Sequence, residues 1–126
     1  MAIWKGVFPA VTTKLNKDGS VDIDATKASI ERLIENCVSR VIVLPMLGEN
    51  ASMEMDERKA IIRAAVETAA GRVPVLSGLA ETTLERAKAS AKIYQDCGAQ
   101  GLMVIPRVLS ARANCWQKAG RLRFSK

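Results

Sequence analysis

The chain has 126 residues, room for one domain and not for a second. Its 48% hydrophobic and 25% charged residues match ordinary globular usage, which excludes wholesale disorder and a membrane bundle. The net charge of +6 belongs to one end: residues 1–106 hold 13 basic and 13 acidic side chains, whereas residues 107–126 hold six basic and none acidic.

In chain order, the first apolar run is Val7 to Val11, of strand length and far too short for a signal-peptide core. Asp22 to Cys37 follows as a helical pattern, with Ile23, Thr26, Ile30, Leu33, Ile34 and Cys37 on one face and Asp22 placed to cap it. Val41 to Pro45 is the second predicted strand. The next helix, Met55 to Ala70, carries a stripe of Met55, Ile62, Ala65, Val66 and Ala69, ends at Gly71, and has Ser52 as a better cap than Glu54. Val73 to Leu76 is the third strand. A third helix is announced by the capping-box spacing of Thr82 and Glu85 and by Leu84, Ala87, Ala91 and Tyr94, with Gly98 after it. Leu102 to Ile105 is the fourth strand.

Strand starts at 7, 41, 73 and 102 are 34, 32 and 29 residues apart, the length of a strand, a helix and a return. Regular βα units of this kind predict parallel strands, adjacent in chain order. An open doubly wound sheet and part of a (β/α)8 barrel both fit. The first βα junction has no GxGxxG, and no GxxxxGK[ST] occurs anywhere, so the phosphate-cradling loops of nucleotide-binding open sheets are missing and the pattern leans towards the barrel.

Three cysteines, Cys37, Cys97 and Cys115, form no CxxC pair and leave an odd thiol, which fits a reducing compartment. Histidine is absent, which removes imidazole triads and the usual zinc sites. No run approaches the roughly 20 residues of a membrane span. The expectation is a soluble, cytoplasmic protein in which metal ligation is not expected.

Gly6-Val-Phe-Pro-Ala-Val-Thr12, Asn16-Lys-Asp-Gly-Ser-Val-Asp22, Leu47-Gly-Glu-Asn-Ala-Ser52 leading to Asp56-Glu-Arg58, and Gly71-Arg-Val-Pro-Val75 occur in an order that resembles the N-terminal part of the dihydrodipicolinate synthase and N-acetylneuraminate lyase family. The resemblance runs over about Ile3 to Pro106. It implies a (β/α)8 barrel, usually tetrameric, that condenses or cleaves pyruvate and related 2-oxo acids through a Schiff base on a lysine, with no metal or organic cofactor. Where the family has Gly-Thr-Thr-Gly-Glu to hold the oxo-acid carboxylate, this chain has Pro45-Met46-Leu47-Gly48-Glu49. Both hydroxyls of the relay are replaced, while the backbone N–H groups of Met46 and Leu47 remain as donors and Gly48 and Glu49 match. Thr12 takes the family's place at the end of the first strand. Pro106-Arg107-Val108 stands where many members have Pro-Tyr-Tyr, and the family's lysine, on its sixth strand, has no counterpart here.

A (β/α)8 barrel needs roughly 250 residues. Residues 1–106 are accordingly expected to form the N-terminal half of a TIM-barrel-like domain, with 107–126 an irregular or helical basic tail of a truncated or frame-shifted product, inactive alone. Thr12, Met46, Leu47, Gly48 and Glu49 are the candidate substrate-binding residues, Glu49 as a shaper of the carboxylate loop before a general base. Ser77 and Gly78 are expected on the same rim, Gly78 by permitting close packing. Lys5, Lys14, Lys17, Lys59, Lys88 and Lys92 read as solvated, which denies them the desolvation a Schiff-base lysine needs, and Cys37 and Cys97 read as packing thiols. Val43, Val75 and Val104 are expected to face the barrel interior and to lose the opposite wall, which favours self-association through open sheet edges. That non-catalytic half-barrel is the alternative function. A weak nucleic-acid binder, acting through a tail that interleaves Arg112, Arg121 and Arg123 with Trp116 and Phe124, is the lesser one.

Overall fold

The computed structural model describes residues 5–45 and 53–105. Met46, Leu47, Gly48, Glu49, Ser52, and the basic tail with Cys115, Trp116 and Phe124 lie outside the described residues.

Each helix starts where a side chain receives its first free N–H groups. Asp22 precedes α1 (Ile23–Glu35) in an extended conformation and accepts from the Ala25 N–H at 2.9 Å, as its position predicts. Before α2 (Met55–Ala69), Glu54 takes the cap position, and its own N–H donates to Glu57 Oε2 at 2.9 Å. At α3 (Leu84–Asp96) the cap is Thr83 rather than Thr82: the Thr83 hydroxyl accepts from the Arg86 N–H at 3.2 Å, and with Arg86 at the third helical position the predicted Thr82–Glu85 capping box gives way to this single cap bond.

β1 (Val41–Val43), β2 (Val75–Leu79) and β3 (Gly101–Val104) form one parallel sheet in chain order. Val41 pairs with Val75, Ile42 with Leu76, Leu76 with Gly101 and Leu79 with Val104. Three boundaries differ from those predicted. β1 stops at Val43 because Leu44 turns out of the extended region at φ 54°. β2 begins after Pro74, which has no N–H to give, and continues through Gly78 to Leu79. β3 begins one residue early, at Gly101.

The run Val7–Val11 is not a full strand. It pairs in parallel with β1 only at Ala10 and Ile42, where Val11 N–H donates to Ile42 O at 2.8 Å and Ile42 N–H to Pro9 O at 3.0 Å. Pro9 supplies an acceptor but no donor, and Val7 is exposed. The predicted neighbour relation therefore holds with one bridge in place of a ladder. Beyond it, Leu15 and Val21 close a small antiparallel turn in which Asp18 Oδ1 accepts from the Ser20 N–H at 3.0 Å.

Ile30 and Ile34 of α1, Ile61, Ile62 and Ala65 of α2, and Ala87, Ala91 and Tyr94 of α3 share one core with Val41, Val43, Val75 and Leu79, and Leu102 packs against it. Fully burying a side chain such as Ile30, Ile61 or Ile62 contributes about 1.5–3 kcal/mol. A single helix layer over strands in chain order is the wall of a barrel; a doubly wound sheet would divide its helices between both faces. Helix α2 buries Ile62, Ala65 and Ala69 of its predicted stripe together with Ile61 and Ala64, because α1 and α3 flank it, while Met55 and Val66 are only partly buried.

Strand alternation corrects the predicted interior valines. Val43 and Val75 lie on the helix-facing side, within the core, so Ile42 and Leu76 occupy the opposite face. Val104, opposite Leu79, shares the helix-facing side and is 38% exposed. Cys97 is buried at the end of α3, but Cys37 is exposed: it takes the left-handed position after α1, at φ 61°, and turns outward. No described helix is long and apolar enough to cross a membrane.

Candidate functional site

Parallel strands present their C-terminal ends on one rim, and in a barrel that rim carries the site. The pairings bring three chain segments to it: Thr12 after Val11, Leu44 and Pro45 after β1, and Ala80 and Glu81 after β2. Thr12 is exposed, and its Oγ1 accepts from Lys14 Nζ at 3.3 Å. Of the candidate substrate-binding residues it is the one within the described residues. Ser77, expected on the rim, is buried within β2 and its hydroxyl donates to Gly78 O at 3.2 Å.

Gly78 has the close-packing role expected of it. A Cβ there would run into the Leu44 carbonyl oxygen and lie 3.2 Å from Pro45 Cα. Leu44 itself holds a left-handed φ of 54°, a conformation costly for a leucine and maintained only where neighbours enforce it. The backbone that leads into residues 46–49 is thus set by β2.

Behind the rim lies a buried polar cluster that the sequence did not announce. Arg58 of α2 and Glu81, just after β2, form an ion pair at 3.1 Å with side chains only 13% and 14% exposed. Arg58 Nε donates to the Met53 carbonyl at 3.1 Å, and its Nη1 lies 3.5 Å from the Tyr94 hydroxyl. The Ser90 hydroxyl donates to Glu81 Oε1 at 2.9 Å. Burial pushes the Tyr94 phenol above its ordinary range, a shift opposed by the Arg58 hydrogen bond. Beside the cluster, Met53, Glu54, Met55, Arg86, Ala89 and Ile93 complete the lining of an open cavity of about 350 Å³. Tyr94 was legible only as a core residue and Arg58 only as part of a motif. Glu81 carried no signal, because its partners lie 23 and 9 residues away and meet only in the fold.

The described lysines are all solvent-accessible. Lys27 pairs with Glu67 at 3.0 Å, Lys59 with Asp56 at 3.7 Å and Lys88 with Glu85 at 3.9 Å, while Lys5, Lys14, Lys17 and Lys92 are exposed. None lies in the dry, enclosed surroundings that an imine-forming lysine needs. Among the described residues no group of three or more His, Cys, Asp or Glu side chains is arranged to hold a metal ion.

Comparison with known proteins agrees with this architecture. The family model of the dihydrodipicolinate synthetase family matches residues 3–109. A 4-hydroxy-tetrahydrodipicolinate synthase of Methanococcus maripaludis is 36% identical over 101 residues, 80% of this chain and 35% of that protein. Among solved structures, YagE of E. coli K12, a prophage protein of the dihydrodipicolinic acid synthase family crystallised with pyruvate, is 31% identical with a TM-score of 0.82, over 94% of this chain and 42% of its own. The N-acetylneuraminate lyase of Fusobacterium nucleatum, at 24% identity, shares the fold with a TM-score of 0.73 over 80% of this chain and 35% of its own. The chain thus spans about a third of the curated relative it matches. It belongs to the dihydrodipicolinate synthetase family.

Proposed function

We propose that this chain carries the N-terminal βα units of a Schiff-base lyase, an aldolase, synthase or dehydratase acting on pyruvate or a related 2-oxo acid. Residues 1–106 form its half-barrel and 107–126 a basic tail. The observation that carries the reading is the likeness to YagE in complex with pyruvate. On this reading the backbone N–H groups of Met46 and Leu47 receive the oxo-acid carboxylate, Gly48 lets the chain approach it, and Glu49 shapes the loop. Thr12 contributes a hydroxyl from the neighbouring segment. Anion binding by successive backbone N–H groups depends on loop geometry rather than on side-chain identity. Replacing the two family threonines by Met46 and Leu47 therefore leaves carboxylate binding in place and removes the hydroxyl relay. With every described lysine solvated, the chain alone binds the oxo acid without forming an imine. A two-dimensional amide NMR titration with pyruvate tests this: the expected shifts fall on Thr12, Leu44 and residues 46–49, and shifts that are absent or scattered over the helices overturn it.

One observation favours a second reading. Val104 is 38% exposed on β3, whose outer edge pairs with nothing among the described residues. Exposed parallel edges invite pairing with another chain, so the protein self-associates through β3. Sedimentation at several concentrations checks this reading, which a concentration-independent monomer refutes.

A further inference from the structure

Residues 7–11 and strands β1, β2 and β3 stand side by side in chain order, all parallel, with the helices packed on one face. Three large apolar side chains are exposed among the described residues, and two of them mark the two edges of this sheet: Val7, 66% exposed, on the first segment and Val104, 38% exposed, on β3. The two edges of a parallel sheet are unlike, so each can be continued by the other.

The register says how they meet. One row of pairings runs Ala10, Ile42, Leu76, Gly101. It crosses the first segment three residues beyond Val7 and reaches β3 at its first residue, so it falls by about one residue per strand. That is the stagger of an eight-stranded barrel of shear 8, in which half a circuit shifts the row by about four residues. Continued onto a second copy, the row passes from Gly101 to Gly6, which sets Leu102 beside Val7 and Val104 beside Pro9. Both alternations of the strand survive the shift. Leu102 and Val104 lie on the helix-facing side of β3, as Val11, and with it Pro9 and Val7, does on the first segment. Ile105 gives its N–H to Leu79 O, while Pro9 and Val11 bond to Ile42, so Val104 and Ala10 turn their backbone groups towards the outer edges.

We propose that two copies of this chain close one eight-stranded barrel about a two-fold axis, the outer edge of β3 in each pairing in parallel with residues 6–10 of the other. The proposal rests on the self-association reading above and names the edge and register that it uses. Unlike edges close after two copies only when each copy supplies half of the ring; otherwise they run on as an open filament. Closure leaves no free edge and gives the inward-facing Ile42, Leu76 and Met103 an opposite wall.

Sedimentation velocity and thiol bridging on the full chain test it. The expected result is a monomer–dimer equilibrium that stops at the dimer as concentration rises. In a mixture of Val7→Cys and Val104→Cys chains, a short bismaleimide is expected to bridge positions 7 and 104 of different copies, which the register makes diagonal neighbours roughly 7–8 Å apart. Both side chains are exposed, so the substitutions spare the core, and peptide mapping tells this bridge from any made by native cysteines. Val104→Lys, with an unchanged circular dichroism spectrum, is expected to raise the dimer dissociation constant about tenfold, because a charge then stands on the paired edge. Bridges joining only position 104 to position 104 show two β3 edges meeting, and assemblies that grow past the dimer show an open filament. Either overturns the closed barrel and leaves self-association standing. A Val104→Lys dimer as tight as the parent's overturns the proposal as well. A concentration-independent monomer overturns the proposal and the self-association reading together.

Discussion

Removing the Glu81 carboxylate isolates the energetics of the buried cluster. In Glu81→Ala, Arg58 keeps the Met53 carbonyl and the Tyr94 hydroxyl but loses its counter-ion, and the Ser90 hydroxyl loses its acceptor. Both charged side chains are about seven-eighths buried but line an open cavity, so water reaches the orphaned guanidinium only in part. Breaking a buried pair from one side costs about 3–5 kcal/mol, and the two remaining partners place this case near 3. Arg58→Met leaves a buried carboxylate and costs a similar amount. The double variant Arg58→Met/Glu81→Leu removes both charges and fills the space with apolar atoms, so it falls well short of the sum, with a coupling of about 2 kcal/mol or more. Urea unfolding followed by far-ultraviolet circular dichroism measures all three, with an unchanged denaturant slope as the check that the unfolded state is the same. Additive costs, or a loss below about 1 kcal/mol for Glu81→Ala as for an exposed pair, would refute the reasoning.

Asp22→Ala is expected to lose about 1 kcal/mol, because the Ala25 N–H at the start of α1 then has no side-chain acceptor, and urea midpoints at equal slope measure it. Tyr94 is the only tyrosine in the chain, so its phenolate absorbance reports one group. Burial raises its folded pKa above the ordinary value of 10.0, so the unfolded state releases this proton first. Stability is therefore whole below that value and declines as pH rises from it through the folded pKa. A spectrophotometric titration should give a higher midpoint in buffer than in urea, and the reverse order would contradict the burial described.

The legible parts of this fold are those fixed by local chemistry. The period of α3, the carboxylate of Asp22 and the spacing of the βα units can each be read along the chain, since each depends on residues within one or two turns. Strand limits were less legible: Pro9 reduces the first segment to one bridge, and Leu44 ends β1 by a turn that neighbouring Gly78 makes possible. The side to which Val43 and Val75 point follows from register with adjacent strands, which the sequence of one strand does not contain. The resemblance points to the stretch 45–49 because the family motif is contiguous, although residues 46–49 lie outside the described residues. It could not find Glu81, whose meaning depends on Arg58 and Ser90 arriving from two different helices.

On the proposed function, this chain presents an oxo-acid-binding rim with no Schiff-base nucleophile among its described lysines. Incubation of the full chain with pyruvate and borohydride, followed by intact mass and peptide mapping, tests it most directly. Because Lys27, Lys59 and Lys88 are ion-paired and Lys5, Lys14, Lys17 and Lys92 are exposed, the mass should remain that of the unmodified chain. A gain of one reduced pyruvate on a single lysine would contradict the claim and identify a substitute nucleophile.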